Sequence, residues 1–187
     1  MGPHSVCIDN CVANHCRFFK LTGPVFAFVA RDLSHKIAIV RRHLDSTNGD
    51  KFTTLKSMIE FELTNQMVYN RGHHGSAART FLRLHWAMEF IIEFMSRLPS
   101  ASHDAKTSKL VFDVYKMTLS AHHPWWTRKL AYLAVHTLPS IKQLIDIMCK
   151  QEFDEVKILL QRIVDVGRPI LTYTRLLYEQ YGLANIP

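Results

Sequence analysis

The stretch Val25–Leu44, VFAFVARDLSHKIAIVRRHL, decides the fold class. At roughly 100° per residue, Val25, Val29, Leu33, Ile37, Val40 and Leu44 fall on one apolar arc, the signature of an amphipathic helix. Asp32 and Lys36 point into the same arc, one turn apart. A second stretch, Ala78–Leu98, ARTFLRLHWAMEFIIEFMSRL, repeats the anomaly. There Arg83 projects within roughly 20° of both Phe90 and Phe94, and Arg79 lies one turn earlier beside Trp86. A charge on an apolar face is costly unless it is paired or meets a ligand. Two arginines at helical spacing, bordered by aromatics, suit a buried phosphate better than a core.

Composition agrees with a helical, globular chain. The 187 residues are 48% hydrophobic, enough for one domain with a sizeable core. Only 7 Gly and 7 Pro are present, which disfavours a turn-rich all-β fold. The formal net charge of +7 implies anionic partners: a membrane surface, nucleic acid or phosphorylated ligands. No apolar run is long enough to span a bilayer, and the first residues lack the basic-then-apolar pattern of a secretory signal. Cys7, Cys11 and Cys16 crowd the start and Cys149 is remote. A disulfide framework is not expected in a chain this rich in core residues, which implies a reducing compartment. A zinc site from Cys7, Cys11, Cys16 and His15 fits no standard finger spacing, and the pairs His73-His74 and His122-His123 lack a second ligand set, so no metal is expected.

Punctuation divides the chain into helices. Gly23-Pro24 opens the first, with Pro at a tolerated early position. Asp45–Asp50 reads as a polar loop. Phe52–Tyr69 reads as helical, with Phe52, Leu55, Ile59 and Leu63 at helix spacing. Arg71–Ser76 reads as a loop, and Ala78–Leu98 as a helix stopped before Pro99. Ser102, His103 and Asp104 offer N-caps for a helix to about Ala121. His123-Pro124 breaks it, and Trp125–Thr137 follows. Pro139 begins one more helix, and Glu155–Tyr181 forms the last, with a bend expected near Pro169. No repeat and no low-complexity segment appears. One compact all-α domain is expected over residues 1–187.

Three segments carry a family resemblance: Phe26–Lys36 (FAFVARDLSHK), Arg79–His85 (RTFLRLH) and His122–Trp125 (HHPW). Together they resemble the glycolipid transfer protein superfamily, over about Arg17–Pro187. The resemblance implies an all-α, two-layer helical sandwich that holds a sphingolipid, headgroup in a polar surface site and chains in an apolar pocket. Glycolipid carriers have an Asn one turn after the motif Asp and a Trp that stacks on sugar. Here Lys36 and Arg83 take those places, and Arg79 adds a second guanidinium. Sugar recognition wants amides and an aromatic platform, whereas phosphate recognition wants cationic donors in a fork. The chain is therefore more similar to the branch that carries ceramide-1-phosphate. The resemblance implies that Asp32 accepts from the lipid amide N–H, that His123 donates to the amide carbonyl, and that Lys36, Arg79 and Arg83 hold the phosphate. Residues 1–16 match the family poorly, where a first helix lining the pocket is usual, and are expected to be flexible or a truncated first helix.

Further expectations follow. Phe18, Phe26, Val29, Trp86, Phe90 and Phe94 are candidate walls of the apolar pocket, although ordinary core packing accounts for the same pattern. Trp125, Trp126, Arg128 and Lys129 suit a membrane foot, with aromatics at headgroup level and cations on anionic lipid. The bland alternative buries both tryptophans and solvates the cations. Asp32 and Lys36 alone read equally as an i,i+4 ion pair. No nucleophile motif appears, so no enzyme activity and no cofactor are expected. The function implied is transfer of ceramide-1-phosphate between membranes by a monomeric, cytoplasmic protein that touches membranes transiently. The rival readings are a sphingolipid-sensing interaction module and a glycolipid carrier. Nucleic-acid binding is not expected, because the basic residues are scattered.

Overall fold

Among the described residues the first helix is α1 (Pro24–Leu44), whose last turn carries Arg41, Arg42 and His43. Cations in a last turn complement the helix dipole. The chain then reverses through a turn in which Ser46 Oγ donates to His43 O at 2.7 Å and Gly49 N to Ser46 O at 2.9 Å. A Cβ on Gly49 would overlap the Leu44 carbonyl oxygen, so glycine alone permits this close return. The computed structural model describes residues 24–69, 75–101, 106–138, 140, 142–143 and 153–186, with residues 24–28 and 153–154 described by backbone alone.

The helix expected over Phe52–Tyr69 is shorter: α2 is Leu55–Thr64, preceded by a 3₁₀ turn at Gly49–Phe52. Thr54 sets its start. Its Oγ1 accepts from Ser57 N at 3.1 Å while Ser57 Oγ accepts from Thr54 N at 3.3 Å, a reciprocal capping box. Its end is set by Gln66, whose φ of 55° is left-handed. Met67 N donates to Glu62 O at 2.8 Å and Gln66 N to Leu63 O at 3.1 Å, the two bonds of a Schellman closure. Phe52, outside the helix, is still buried at 7% exposure.

Helix α3 spans Ala77–Arg97 and runs into a 3₁₀ turn at Leu98–Ser100 that contains Pro99. Helix α4 is Thr107–Met117; it stops short of Ala121, and a 3₁₀ turn at Ser120–His122 follows. The caps expected at Ser102, His103 and Asp104 lie outside the described residues. Helix α5, Trp125–Val135, begins directly after Pro124, as expected, and ends two residues before Thr137. The helix expected from Pro139 lies almost wholly outside the described residues, as do Phe18 and the cysteines. The last helix, α6, spans Phe153–Gln180 as one element through Pro169. Its close repeats the Schellman geometry with the residue that suits it: Gly182 has φ 67°, and Leu183 N donates to Tyr178 O at 2.8 Å.

The chain divides into two compact units, each built from separated segments. One takes the described residues up to Ser34 and Phe90–Asp165; the other takes His35–Glu89 and the described residues from Val166. The second unit has a core of Phe52, Met58, Ile59, Val68, Ala77, Ala78, Leu82, Leu177, Tyr178, Leu183 and Ile186, with Trp86 packed against it. In the first unit, Leu98, Val156 and Leu160 cluster, with Phe94, Met95 and Leu110 against them, and α4 packs on α5.

Candidate functional site

The start of α3 is held by residues of the second unit on two other helices, α2 and α6. Glu62, on the buried face of α2 after Met58 and Ile59, is fully buried at 0% exposure. Its carboxylate accepts from Ala77 N at 2.6 Å, from Ala78 N at 3.3 Å and from the Ser76 hydroxyl. Ser76 Oγ in turn accepts from Arg79 N at 2.9 Å. The first N–H groups of a helix have no partner within it and carry the positive end of its dipole. An acceptor anion from another helix therefore answers both needs. From α6, the Tyr178 hydroxyl donates to Ala78 O at 2.6 Å. Burial pushes the Tyr178 phenol far above its ordinary range, and the Glu62 charge pushes in the same direction.

This lock fixes the helix that carries Arg79 and Arg83. The two arginines stand one turn apart, both half-buried. Among the described residues, no hydrogen bond or ion pair engages the Arg83 guanidinium. Lys36, half-buried on α1, belongs to the same unit. His85, buried at 5% exposure on the same helix, has Nε2 at 3.4 Å from Glu89 Oε1. The second unit thus holds the three cations expected to meet a phosphate.

Asp32 and His123 belong to the first unit. Asp32 is exposed on α1. His123 is half-buried between α4 and α5, and its Nδ1 lies 2.9 Å from the Tyr115 hydroxyl. When that hydroxyl donates to Nδ1, the ring proton sits on Nε2, which becomes a donor. Burial raises the Tyr115 phenol, and Arg128 pulls it the other way.

The apolar candidates divide. Trp86 is core packing in the second unit. Phe90 and Phe94 stack in the first, ring centroids 6.4 Å apart. Val29 is 38% exposed, and Phe26 lies where only backbone is described. Trp125 and Trp126 are 65% and 51% exposed, so neither packs inside. Lys129 Nζ stands 5.0 Å from the Trp125 ring, and Arg128 is exposed beside it.

Glu62, Ser76, Tyr178 and Tyr115 escaped the sequence reading. Glu62 could have been found by the logic applied to Asp32, since it follows Met58 and Ile59 on an apolar helix face. Nothing local marks Tyr178, which acts on Ala78 at a separation of 100 residues.

A family model described as "Glycolipid transfer protein (GLTP)" matches residues 10–150. The chain belongs to the glycolipid transfer protein family. Within it, the chain is 34% identical over 173 residues to ceramide-1-phosphate transfer protein of Danio rerio, covering 91% of this chain and 82% of that one. The structure superposes on human ceramide-1-phosphate transfer protein in complex with 2:0 ceramide-1-phosphate with a TM-score of 0.85, at 28% identity, over 96% of this chain and 89% of that one. The apo-form of the mouse protein gives a TM-score of 0.86 at 29% identity, over 96% and 90% of the two chains. The all-α fold is therefore of the glycolipid transfer protein type.

Proposed function

We propose that this chain carries ceramide-1-phosphate between membranes and catalyses no reaction. The observation that carries the reading is the half-buried Arg83, which meets no hydrogen-bonding or ionic partner among the described residues. It stands one turn from Arg79 on a helix whose start is locked in place. A desolvated guanidinium is costly without an anion, and its planar fork matches phosphate oxygens. In this reading Lys36, Arg79 and Arg83 hold the phosphate, Asp32 accepts from the amide N–H, and the Nε2–H of His123 donates to the amide carbonyl. A sugar headgroup would gain little from three cations.

Magnitudes divide the labour. Burying hydrocarbon is worth about 0.8 kcal/mol per CH₂, so an acyl chain must find a protein surface to replace the bilayer. Hydrogen bonds to a charged group add about 1.5–3 kcal/mol each, enough to choose the headgroup but not to extract the lipid. Exposed apolar side chains exist for the chains to meet: Ile158, Leu159 and Ile163 of α6 are 57%, 41% and 46% exposed. The exposed Trp125 and Trp126, with Arg128 and Lys129, form the membrane-docking face of the first unit, and contact with membranes is transient, from the cytoplasm. Among the described residues no helix is long and apolar enough to cross a membrane, in keeping with peripheral contact.

Vesicle-to-vesicle transfer of labelled ceramide-1-phosphate and of a neutral glycosphingolipid tests the reading. Arg83→Leu is expected to abolish phosphate-lipid transfer while helical content is retained, and its stability rises if removal of the charge relieves desolvation. Unimpaired transfer by Arg83→Leu, or preference of the wild-type chain for the glycolipid, overturns the assignment.

A further inference from the structure

Between α4 and α5 lies a groove of about 550 Å³, lined among others by Phe112, Tyr115, Lys116, Arg128, Lys129 and Tyr132. Its walls are aromatic: Phe112 and Tyr132 meet edge to face with ring centroids 5.4 Å apart. Lys116 Nζ stands 5.6 Å from the Phe112 ring, and Lys129 Nζ 5.0 Å from the ring of Trp125 at the start of α5. Each lysine thus sets its ammonium group over an aromatic ring, a cation–π contact that leaves its donors open to an anion. Arg128 adds a guanidinium, and among the described residues lining the groove none is acidic. A concave surface lined by one sign of charge concentrates counter-ions of the other.

Three cations around one concavity call for more than a single negative charge. A phosphomonoester carries about −1.5 to −2 at neutral pH and offers three acceptor oxygens, whereas a phosphodiester carries one charge and fewer acceptors. The exposed Trp125 and Trp126 open the same helix. Tryptophan favours the membrane interface, so the mouth of the groove stands where lipid headgroups would be. The cations are not those assigned to the cargo phosphate, Lys36, Arg79 and Arg83.

We propose that the groove between α4 and α5 is a second lipid site, which takes the phosphomonoester headgroup of a lipid standing in the docked membrane. The chain then recognises the membrane by a fitted headgroup and not by surface charge alone. This goes beyond the transfer reading and holds whatever the cargo is.

The test is co-sedimentation of the full chain with phosphatidylcholine vesicles that contain either phosphatidic acid or phosphatidylglycerol, adjusted to equal surface potential. The wild-type chain is expected to bind the phosphatidic acid vesicles about tenfold more tightly, the worth of one charge-assisted hydrogen bond. Lys116→Met is expected to erase that preference, because both vesicles lose the same general attraction to one cation and only the phosphatidic acid vesicles lose the fitted contact as well, and Lys116→Arg to restore it. Lys116 is exposed, and circular dichroism checks that its variants keep the helical fold. Equal binding of the wild type to both vesicles, or equal loss on both in Lys116→Met, makes the groove part of a diffuse cationic face and overturns the proposal. Displacement by inorganic phosphate beyond that by sulfate at equal ionic strength makes the ligand a soluble phosphate and overturns it as well. Because cargo transfer is not measured, failure here leaves the carrier reading standing, and failure of transfer leaves this proposal standing.

Discussion

Replacing Glu62 by Ala removes the acceptor that three donors share at the start of α3. Ala77 and Ala78 are both fully buried, so their N–H groups gain no water when the carboxylate goes. A buried donor left unsatisfied costs about 1–3 kcal/mol, and loss of an anion at a partly buried helix N-terminus costs up to about 2 kcal/mol more. The Ser76 hydroxyl can rotate toward another acceptor, so its share is small. With two such donors and the anion the sum centres on about 5 kcal/mol, a large part of the roughly 5–15 kcal/mol that holds a domain. For a chain of this size about 2–4 °C of melting temperature is lost per kcal/mol, so a fall of about 10 °C or more is expected. Glu62→Gln keeps one acceptor oxygen and should lose about half as much. Glu62→Leu should not recover stability, because a leucine cannot accept a hydrogen bond. The assay is urea unfolding followed by circular dichroism, alongside thermal melts. If Glu62→Ala or Glu62→Leu stays within about 0.5 kcal/mol of wild type, as surface substitutions do, then the carboxylate does not hold the helix and this reasoning fails.

Three further outcomes are expected. Gln66→Gly should raise stability by about 1 kcal/mol, because φ of 55° costs a residue with a Cβ and costs glycine nothing; an unchanged or lower melting temperature would count against the Schellman closure. Asp32→Val should block transfer of every sphingolipid whatever its headgroup, since the amide N–H is common to them all; a variant that lost the phosphate-bearing lipid but gained neutral ceramide would remove Asp32 from the amide. Tyr178→Phe should cost about 1 kcal/mol at neutral pH for the lost bond to Ala78 O. Burial raises the Tyr178 phenol, so the folded chain keeps its proton longer than the unfolded chain, whose phenol titrates near 10.0. The stability that this supplies is whole below about pH 10 and drains away as the pH rises further, a decline expected to be shallower in Tyr178→Phe. Parallel alkaline declines for the two chains would place the phenol outside the folding linkage.

The sequence by itself determined those features whose causes are local. Helix α1 ends at Leu44, where its apolar arc ends, and α3 is displaced by only one residue at each end from Ala78–Leu98, because a 3.6-residue apolar period and a following Pro99 are properties of contiguous residues. Pro124 places the start of α5 for the same reason, and the resemblance carried by three short motifs pointed to the family. The end of α2 was not legible, because Gln66 adopts a backbone that sequence normally signals with glycine, as it does at Gly182. The grip on α3 was not legible either. It joins Glu62, Ser76 and Tyr178 from three separated segments, and only close packing tells a buried carboxylate that caps a helix from one that faces water. Exposure was likewise decided in three dimensions. Trp125 and Trp126 have the composition of a core and stand in solvent, while Glu62 has the composition of a surface and stands in the core. Periodicity assigns a residue to a face of its helix; what covers that face depends on segments distant in the chain, and those only the tertiary structure brings together.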